Sequence, residues 1–322
     1  MTVTNPRVRD FTAGQRLHVE VAAGEAFELL LALYALGDEE EDADFEIGAE
    51  WFAGVRERAG DELLERIATY GDWSVWIALL GEVYGMGAPF TADRLIAHLE
   101  GMEPVALRTA LLEVGSCYAE MTLSDEHRAE LAAGDTTVIG EAGDWCAKCP
   151  GLVELMQLPV EETRATLAGL LRDFAAAGPL PAGVAGTLRR DAEHKESLAR
   201  RMDPERLIEK ATNGITVAAQ PGLDGVVLVP SVVLRPWAII AERGTTRIIC
   251  YSVDEEILGS DPDAPPTWLV QFYKALGDER RLTILKRLGD DVRTLLLSPD
   301  AVLASVPIHA LPIPGGASFS WR

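Results

Sequence analysis

The stretch that decides the fold class is Trp237–Val253, which reads WAIIAERGTTRIICYSV. Two runs rich in apolar and β-branched residues, Trp237–Ala241 and Thr246–Val253, flank the turn residues Glu242–Thr245, and this pattern predicts a β-hairpin. The apolar run Gly225–Pro230 (GVVLVP) precedes the hairpin and is typical of a further strand. We therefore expect three or four strands in a small antiparallel sheet that packs against helices.

Upstream of this stretch, from Leu17 to about Lys210, the signals are helical. The mixed charges of Thr187–Met202 predict an exposed helix with ion pairs four residues apart. Trp73, Trp76 and Leu79 share one helix face, as core residues do. The chain is thus expected to be mainly α with a small β part, in the α+β class. The other predicted helices are Ala26–Leu36, Ala49–Arg58, Glu62–Tyr70, Trp73–Leu80, Ala92–Glu100, Pro104–Glu113, Ser124–Ala132, Val160–Ala176 and one that begins at Asp203–Pro204.

The charge is strongly acidic and unevenly distributed. The 322 residues carry 51 acidic and 29 basic side chains, a net charge of −22. The tail from Trp268 onward has a net charge of +2, whereas the preceding residues sum to −24. Because DNA binding depends on clustered Lys and Arg, only a local segment of this chain can contact DNA. The acidic run Asp38–Glu46 is either a solvated loop or an acidic binding surface.

The sequence predicts a cytoplasmic protein without a membrane segment. The strongest apolar stretch, Ala26–Leu36, contains Glu28 and is shorter than the roughly 18 residues of a spanning helix. Met1–Asp10 lacks the apolar region of a secretory signal. Four cysteines without a dense framework are typical of reduced thiols.

A second informative stretch follows the Pro- and Asp-rich linker Gly259–Pro266. In Pro266–Leu276 (PTWLVQFYKAL) apolar residues recur with helical spacing. Gly277 ends this helix, and Asp278 caps a second one, Glu279–Leu288 (ERRLTILKRL). The pattern predicts a tight helical hairpin with apolar faces.

This stretch resembles the first two helices of ArsR-type winged helix-turn-helix regulators. The family's LxDxxRLxIL string is matched by Leu276, Asp278, Arg281, Leu282, Ile284 and Leu285. More loosely, the upstream part is similar to large ArsR-like proteins with a long N-terminal domain. That looser similarity is carried by Asn213–Ile215, Val229–Ser231 and Arg235–Trp237.

The resemblance implies a DNA-binding regulator that works as a homodimer without catalysis. In such regulators the first two helices support the dimer, and a later helix reads the major groove. Arg281 would then hold the domain together. Arg280, Lys286 and Arg287 are the candidates for DNA contacts, through phosphate, or else form a surface basic cluster.

The sequence departs from the family pattern after Leu288. The chain ends 34 residues later, whereas two further helices and a wing need roughly 40 residues. Pro299, Pro307, Pro312 and Pro314 fall where helices are expected. We therefore expect an incomplete or altered DNA reader.

Other chemistry has weaker support in the sequence. Cys146 and Cys149 form a CxxC pair. The two thiols are either two of the four ligands that a zinc site needs, a redox pair, or inert. The five histidines are scattered, and no nucleotide-binding, hydrolase or zinc-protease motif is present. We therefore predict no metal, no cofactor and no catalytic residue.

The predicted organisation is a regulatory and dimerisation domain, residues 1–260, followed by an incomplete winged helix-turn-helix domain, residues 263–322. A small-molecule effector would bind in the first domain. The alternative function is a ligand-sensing or protein-interaction module that does not bind DNA. An enzyme built on the helical domain is a third interpretation, and it requires a pocket with converging titratable groups.

Overall fold

A computed structural model describes residues 17–37, 42, 44–113, 123–141, 148–217 and 220–259, and the backbone of residues 294–297 and 304–307. The described chain is mainly helical with a small mixed sheet, which confirms the α+β class. The helices are α1 (Glu25–Ala35), α2 (Ala49–Tyr70), α3 (Trp73–Gly85), α4 (Ala92–Gly101), α5 (Pro104–Leu112), α6 (Asp125–Ala132), α7 (Pro150–Gln157), α8 (Val160–Ala176), α9 (Val184–Ala199), α10 (Pro204–Ala211) and α11 (Glu255–Leu258). The strands are β1 (His18–Val21), β2 (Gly225–Ser231), β3 (Ile239–Arg243), β4 (Thr246–Ser252), β5 (Thr294–Leu297) and β6 (Ala304–Pro307), and a 3-10 helix covers Thr136–Glu141.

Most predicted helices are found near their expected bounds. The two predicted on either side of Gly60 join as α2, and Gly60 interrupts the helix with φ 73° and ψ 161°. A positive φ of this kind is readily adopted only by glycine, which explains the break. The elements that the sequence pattern does not predict include the short helix α7 and the strand β1, which lies within the stretch expected to be helical.

The larger sheet has the strand order β1-β2-β4-β3. The predicted hairpin is confirmed, because β3 and β4 pair antiparallel around Gly244 and Thr245. The expectation of an antiparallel sheet is otherwise wrong, since β1 pairs parallel with β2 and β2 pairs parallel with β4. The helices α1–α10 all lie between β1 and β2 in sequence, and such a long crossover permits a parallel pair.

Both faces of this sheet are covered. Val227 and Val229 of β2 belong to the main helical core, whereas Val226 and Leu228 pack into a second core with Leu207 and Ile208 of α10. This alternation follows from the two-residue period of a strand. A strand buried on both faces is a near-continuous apolar run, which is the pattern that GVVLVP shows.

The junction between α2 and α3 is tightly packed. Asp72 caps α3, because its Oδ1 accepts hydrogen bonds from the backbone N–H groups of Ser74 (2.8 Å) and Val75 (3.2 Å). Its Oδ2 accepts from the backbone N–H of Leu152, at the start of α7 (3.1 Å). A Cβ atom on Gly71 would lie 2.0 Å from the ring of Trp76. Of the helix face predicted to lie in the core, Trp76 and Leu79 are buried, whereas Trp73 is only partly buried.

The outer edge of the sheet is fastened to the helices by an ion-pair cluster. Arg243 of β3 donates hydrogen bonds to Glu82 Oε1 (2.6 Å) and to the Gly81 carbonyl (2.9 Å) of α3. His98 Nε2 of α4 lies 3.1 Å from Glu82 Oε2. Glu82 is buried, and it joins β3 to α3 through Arg243 and α3 to α4 through His98.

Candidate functional site

Polar and charged side chains gather where the parallel strands end. The chain leaves β2 into residues 232–236 and leaves β4 into residues 253–259, at the same edge of the sheet. The carboxyl ends of parallel strands are where functional groups commonly collect in open sheets. We call the three groups of side chains found there the strand-end network, and describe each by its central residue.

The Lys195 cluster joins α9 to the end of β4. Asp191 and Lys195 are one helical turn apart on α9, and both side chains are 0% exposed. Lys195 Nζ donates hydrogen bonds to Asp191 Oδ1 (3.4 Å) and Asp254 Oδ2 (2.5 Å). It also lies 5.4 Å from the centre of the Tyr251 ring. Burial of an ammonium group is tolerated here because two carboxylates and an aromatic face replace its water.

Asp191 is the acceptor at the centre of this cluster. Its Oδ2 accepts a hydrogen bond from the Tyr251 hydroxyl (2.6 Å), and its Oδ1 accepts from the backbone N–H of Asp254 (3.0 Å). Burial raises the pKa of Tyr251 well above its usual range, and the charge of Asp191 together with its hydrogen bond raises it further. Tyr251 therefore stays protonated and acts as a hydrogen-bond donor.

The Arg235 cluster lies on the other side of residues 253–255. Arg235 Nε donates a hydrogen bond to Glu46 Oε2 (2.9 Å), and Nη1 donates to the carbonyl of Val253. Nη2 lies 2.7 Å from Glu46 Oε2 and 3.6 Å from Glu255 Oε1. The backbone N–H of Glu46 donates to the Arg235 carbonyl (2.9 Å). Burial raises the pKa of the Glu46 carboxyl, and the nearby Arg235 charge only partly opposes this.

The Glu28 group closes the network from the side of α1. Glu28 Oε1 accepts hydrogen bonds from the backbone N–H groups of Val232 (2.9 Å) and Val233 (2.8 Å), and the Ser231 side chain also bonds to this carboxyl. Glu28 Oε2 is buried without a hydrogen-bond partner in the described part of the chain. Burial therefore raises the pKa of Glu28 despite these hydrogen bonds. Burial and the Glu28 charge also raise the pKa of the Cys250 thiol, which makes it a poor nucleophile.

The geometry of the network restricts what it does chemically. Lys195 is enclosed by Asp191 of its own helix and by Asp254, and Arg235 is enclosed by Glu46 and Glu255, so neither cation faces an open site. Paired buried charges of this kind define one arrangement of the backbone, because breaking a pair leaves a charge without compensation. The network therefore holds five segments together: α1, the residues around Glu46, α9, residues 231–236 and residues 253–255.

One sequence prediction is wrong at this site. The charge pattern of Thr187–Met202 predicts an exposed helix, yet Asp191 and Lys195 of α9 are completely buried. Among the described residues of this helix, Arg189 and Glu193 form an exposed ion pair of the predicted kind, with their charged atoms 4.0 Å apart. The signal that could have identified the buried face is the helical spacing of Val184, Leu188, Asp191 and Lys195.

The structure does not describe the residues predicted to contact DNA. Arg280, Lys286 and Arg287 lie outside the described residues. So do the six residues that match the family string, namely Leu276, Asp278, Arg281, Leu282, Ile284 and Leu285. Downstream of them, β5 and β6 pair antiparallel, with Thr294 opposite Pro307 and Leu297 opposite Ala304.

The cysteine pair remains without assignment. Cys149 is buried at the start of α7, whereas Cys146 and Cys117 lie outside the described residues. Within the described ranges, no group of three or more His, Cys, Asp or Glu side chains is placed to hold a metal ion. Over the same residues, no helix is both long and apolar enough to cross a bilayer.

Comparison with known proteins adds no relative. No protein-family model, no curated protein and no solved structure matches this chain.

Proposed function

We propose that this chain is a non-catalytic transcription regulator of the ArsR-like type. Residues 17–259 would belong to its regulatory and dimerisation domain, and any DNA contact would come from the segment that follows. The observation that carries the proposal is the string Leu276–Leu285, which matches the family at six positions. The proposal places the protein in the cytoplasm as a homodimer, with a small-molecule effector bound by the regulatory domain.

The charge distribution supports a regulatory domain that does not contact DNA, followed by a segment that does. The residues before Trp268 carry a net charge of −24 and would be repelled by phosphate. Arg280, Lys286 and Arg287 fall in the part of the chain with a positive net charge. The mechanism would be a population shift between DNA-competent and DNA-incompetent dimers, to which an effector contributes its differential affinity.

The buried network supports a conformational role for the regulatory domain. Residues 253–255 contact both buried cations and then lead, through Gly259, into the linker and the family string. A change in the contacts of Lys195 or Arg235 would thus affect the backbone within a few residues of Gly259, where the linker begins.

DNA binding by the full-length chain tests the proposal directly. Duplexes are selected from a random-sequence pool, and their affinity is measured by fluorescence anisotropy between about 50 and about 200 mM KCl, the range over which phosphate binding weakens steeply. We expect specific binding whose logarithm falls linearly with the logarithm of the salt concentration. Replacing Arg280, Lys286 and Arg287 by Ala should reduce this slope by about one for each phosphate that the variant no longer neutralises.

A matched control removes the same charge elsewhere. Arg189, Arg200 and Arg201 are exposed on and after α9, and their triple replacement by Ala should leave the slope unchanged. Equal effects of the two triple variants would mean that the slope reports bulk charge rather than a DNA-contacting segment.

A second function is favoured by a specific observation at the C-terminus. The strands β5 and β6 occupy positions where the family's reading helices are expected. This arrangement supports a ligand-sensing or protein-interaction module that does not bind DNA. It predicts negligible DNA affinity even at the lowest salt concentration, while sedimentation still reports a dimer.

A further inference from the structure

The segment Val253–Gly259 is held to the domain in an unusual way. It contains the short helix α11, and no residue of α11 is buried. Leu258 is 38% exposed, the one large apolar side chain that is exposed in the described part of the chain. The apolar contact of this segment beyond Val253 is that of Ile257, which is partly buried against Val184, Leu188 and Val253. Polar interactions supply the rest of its attachment.

Two adjacent carboxylates of this segment reach two separate buried cations. Asp254 Oδ2 lies 2.5 Å from Lys195 Nζ, and Glu255 Oε1 lies 3.6 Å from Arg235 Nη2. Both cations are almost completely buried, whereas the Asp254 and Glu255 side chains are 36% and 30% exposed. The anions are therefore the half of each pair that can leave toward solvent.

The Asp254 side chain does not cap its helix, although Asp254 is at the N-cap position. It is the N-cap residue of α11, where Asp normally accepts a hydrogen bond from the first turn, but its side chain makes no such bond. The carboxylate points to Lys195 instead. Contact with the buried cation thus replaces the local stabilisation of a helix that is only four residues long.

We propose that Asp254 and Glu255 form a latch, closed on Lys195 and Arg235, that holds Val253–Gly259 against the strand-end network and releases it as a unit. The two pairs act together because the backbone between them is also bound. The Asp254 N–H donates to Asp191, and the Val253 carbonyl accepts from Arg235. An open latch leaves both cations short of one anion while Asp191 and Glu46 keep them partly compensated.

The regulatory role of the latch rests on the function proposed above, because it assumes that the segment after Gly259 binds DNA. Gly259 is followed by the linker and the family string, so an open latch changes the point from which that segment leaves the domain. Latch opening is then the conformational step through which the regulatory domain alters DNA affinity. The latch itself is a property of the domain and is measured without DNA.

Amide hydrogen exchange of the full-length protein, followed by mass spectrometry, tests the latch. We expect Asp254→Asn and Glu255→Gln each to accelerate exchange across the whole of residues 253–259. The acceleration should be about 2- to 5-fold for each variant, the loss of one ion pair whose carboxylate is partly exposed. Residues 246–252 of β4 should exchange at the wild-type rate, which shows that the variants are folded. Glu256→Gln removes the same charge from an exposed position one residue away and should change nothing.

The outcomes separate the latch from the proposed function. Unchanged exchange in both latch variants, or an equal change in Glu256→Gln, overturns the latch. Faster exchange at residues 253–259 with unchanged DNA affinity overturns its regulatory role and leaves the latch in place. A wild-type protein that binds no DNA overturns the proposed function and the regulatory role together, and the exchange data still decide the latch. Faster exchange with at least a threefold change in DNA affinity supports both.

Discussion

Replacing Lys195 by Met is the most direct test of the buried Lys195 cluster. Met has a similar length and no charge, so Lys195→Met keeps the packing volume and removes the ammonium group. Asp191 is then left 0% exposed with hydrogen bonds from Tyr251 and from the Asp254 N–H, but without a counter-ion. Asp254 loses its partner too, although it is partly exposed and can be solvated.

The expected loss of stability follows from this asymmetry. Breaking a buried ion pair by removing one partner costs about 3–5 kcal/mol in free energy of unfolding. The contribution of Asp254 is at most about 1 kcal/mol, because a pair with an exposed partner is worth little. For a folded unit of this size the total of about 3–6 kcal/mol corresponds to a fall in Tm of roughly 6–24 °C.

The assay is urea unfolding at neutral pH, followed by circular dichroism of the helices. Lys210→Met is the matched control, since Lys210 is exposed at the end of α10. The double variant D191N/K195M removes both buried charges and should recover at least half of the loss. A loss below about 1 kcal/mol in K195M, the ordinary effect of a surface change, would refute this account. A double variant no more stable than K195M would refute it as well.

Three further changes have expected outcomes, each read from urea or thermal unfolding. Asp72→Ala removes the caps of α3 and α7 and should cost about 2 kcal/mol, since one cap is worth about 1 kcal/mol; an unchanged urea midpoint would contradict the double cap. Gly71→Ala should cost about 1–3 kcal/mol because its Cβ would overlap the ring of Trp76, whereas Gly101→Ala, where a Cβ meets open space, should cost nothing. Because burial raises the pKa of Glu28 from 4.5, the native state holds this proton more tightly, and the contribution of Glu28 to stability falls as pH rises above about 4.5. Glu28→Gln removes this pH dependence, so the free energy of unfolding of the variant should rise relative to that of the wild type as the pH is raised from 4 to 8. A difference between the two proteins that stays constant over this range would contradict the prediction.

The helices were predictable because their signals are local. The bounds of α8 are those expected from the apolar spacing and from the Gly178–Pro179 stop. The hairpin of β3 and β4 was predictable for the same reason, as its turn residues lie between its strands. Such elements depend on residues close together in sequence, which periodicity and turn chemistry describe.

The parallel pairing was not predictable from these signals. β1 has only four residues, and its partner β2 begins at Gly225, on the far side of α1–α10. Nothing in His18–Val21 announces a partner so far along the chain. Local patterns carry no information on a pair that is made by closing the whole helical region.

The strand-end network escapes prediction for a related reason. A Lys or Asp in a charged stretch is normally solvated, and the pattern of Thr187–Met202 indicates nothing else. Lys195 is buried because Asp254 and Tyr251, more than fifty residues away, supply its partners. Ser231 and Arg235 fall within the segments that loosely resemble ArsR-like proteins, yet the sequence does not indicate which side chains they meet.

The contacts of the strand-end network also bear on whether its side chains serve in catalysis or in fixing the backbone. A lysine that acts as a base or nucleophile must give up its proton in an accessible site. Lys195 is instead completely buried, with its ammonium group in contact with two carboxylates and the face of an aromatic ring. Tyr251 is fixed as a donor, and Arg235 is enclosed by Glu46 and the Val253 carbonyl. Groups that are buried and paired in this way favour one backbone geometry, which supports a conformational role for this edge of the sheet.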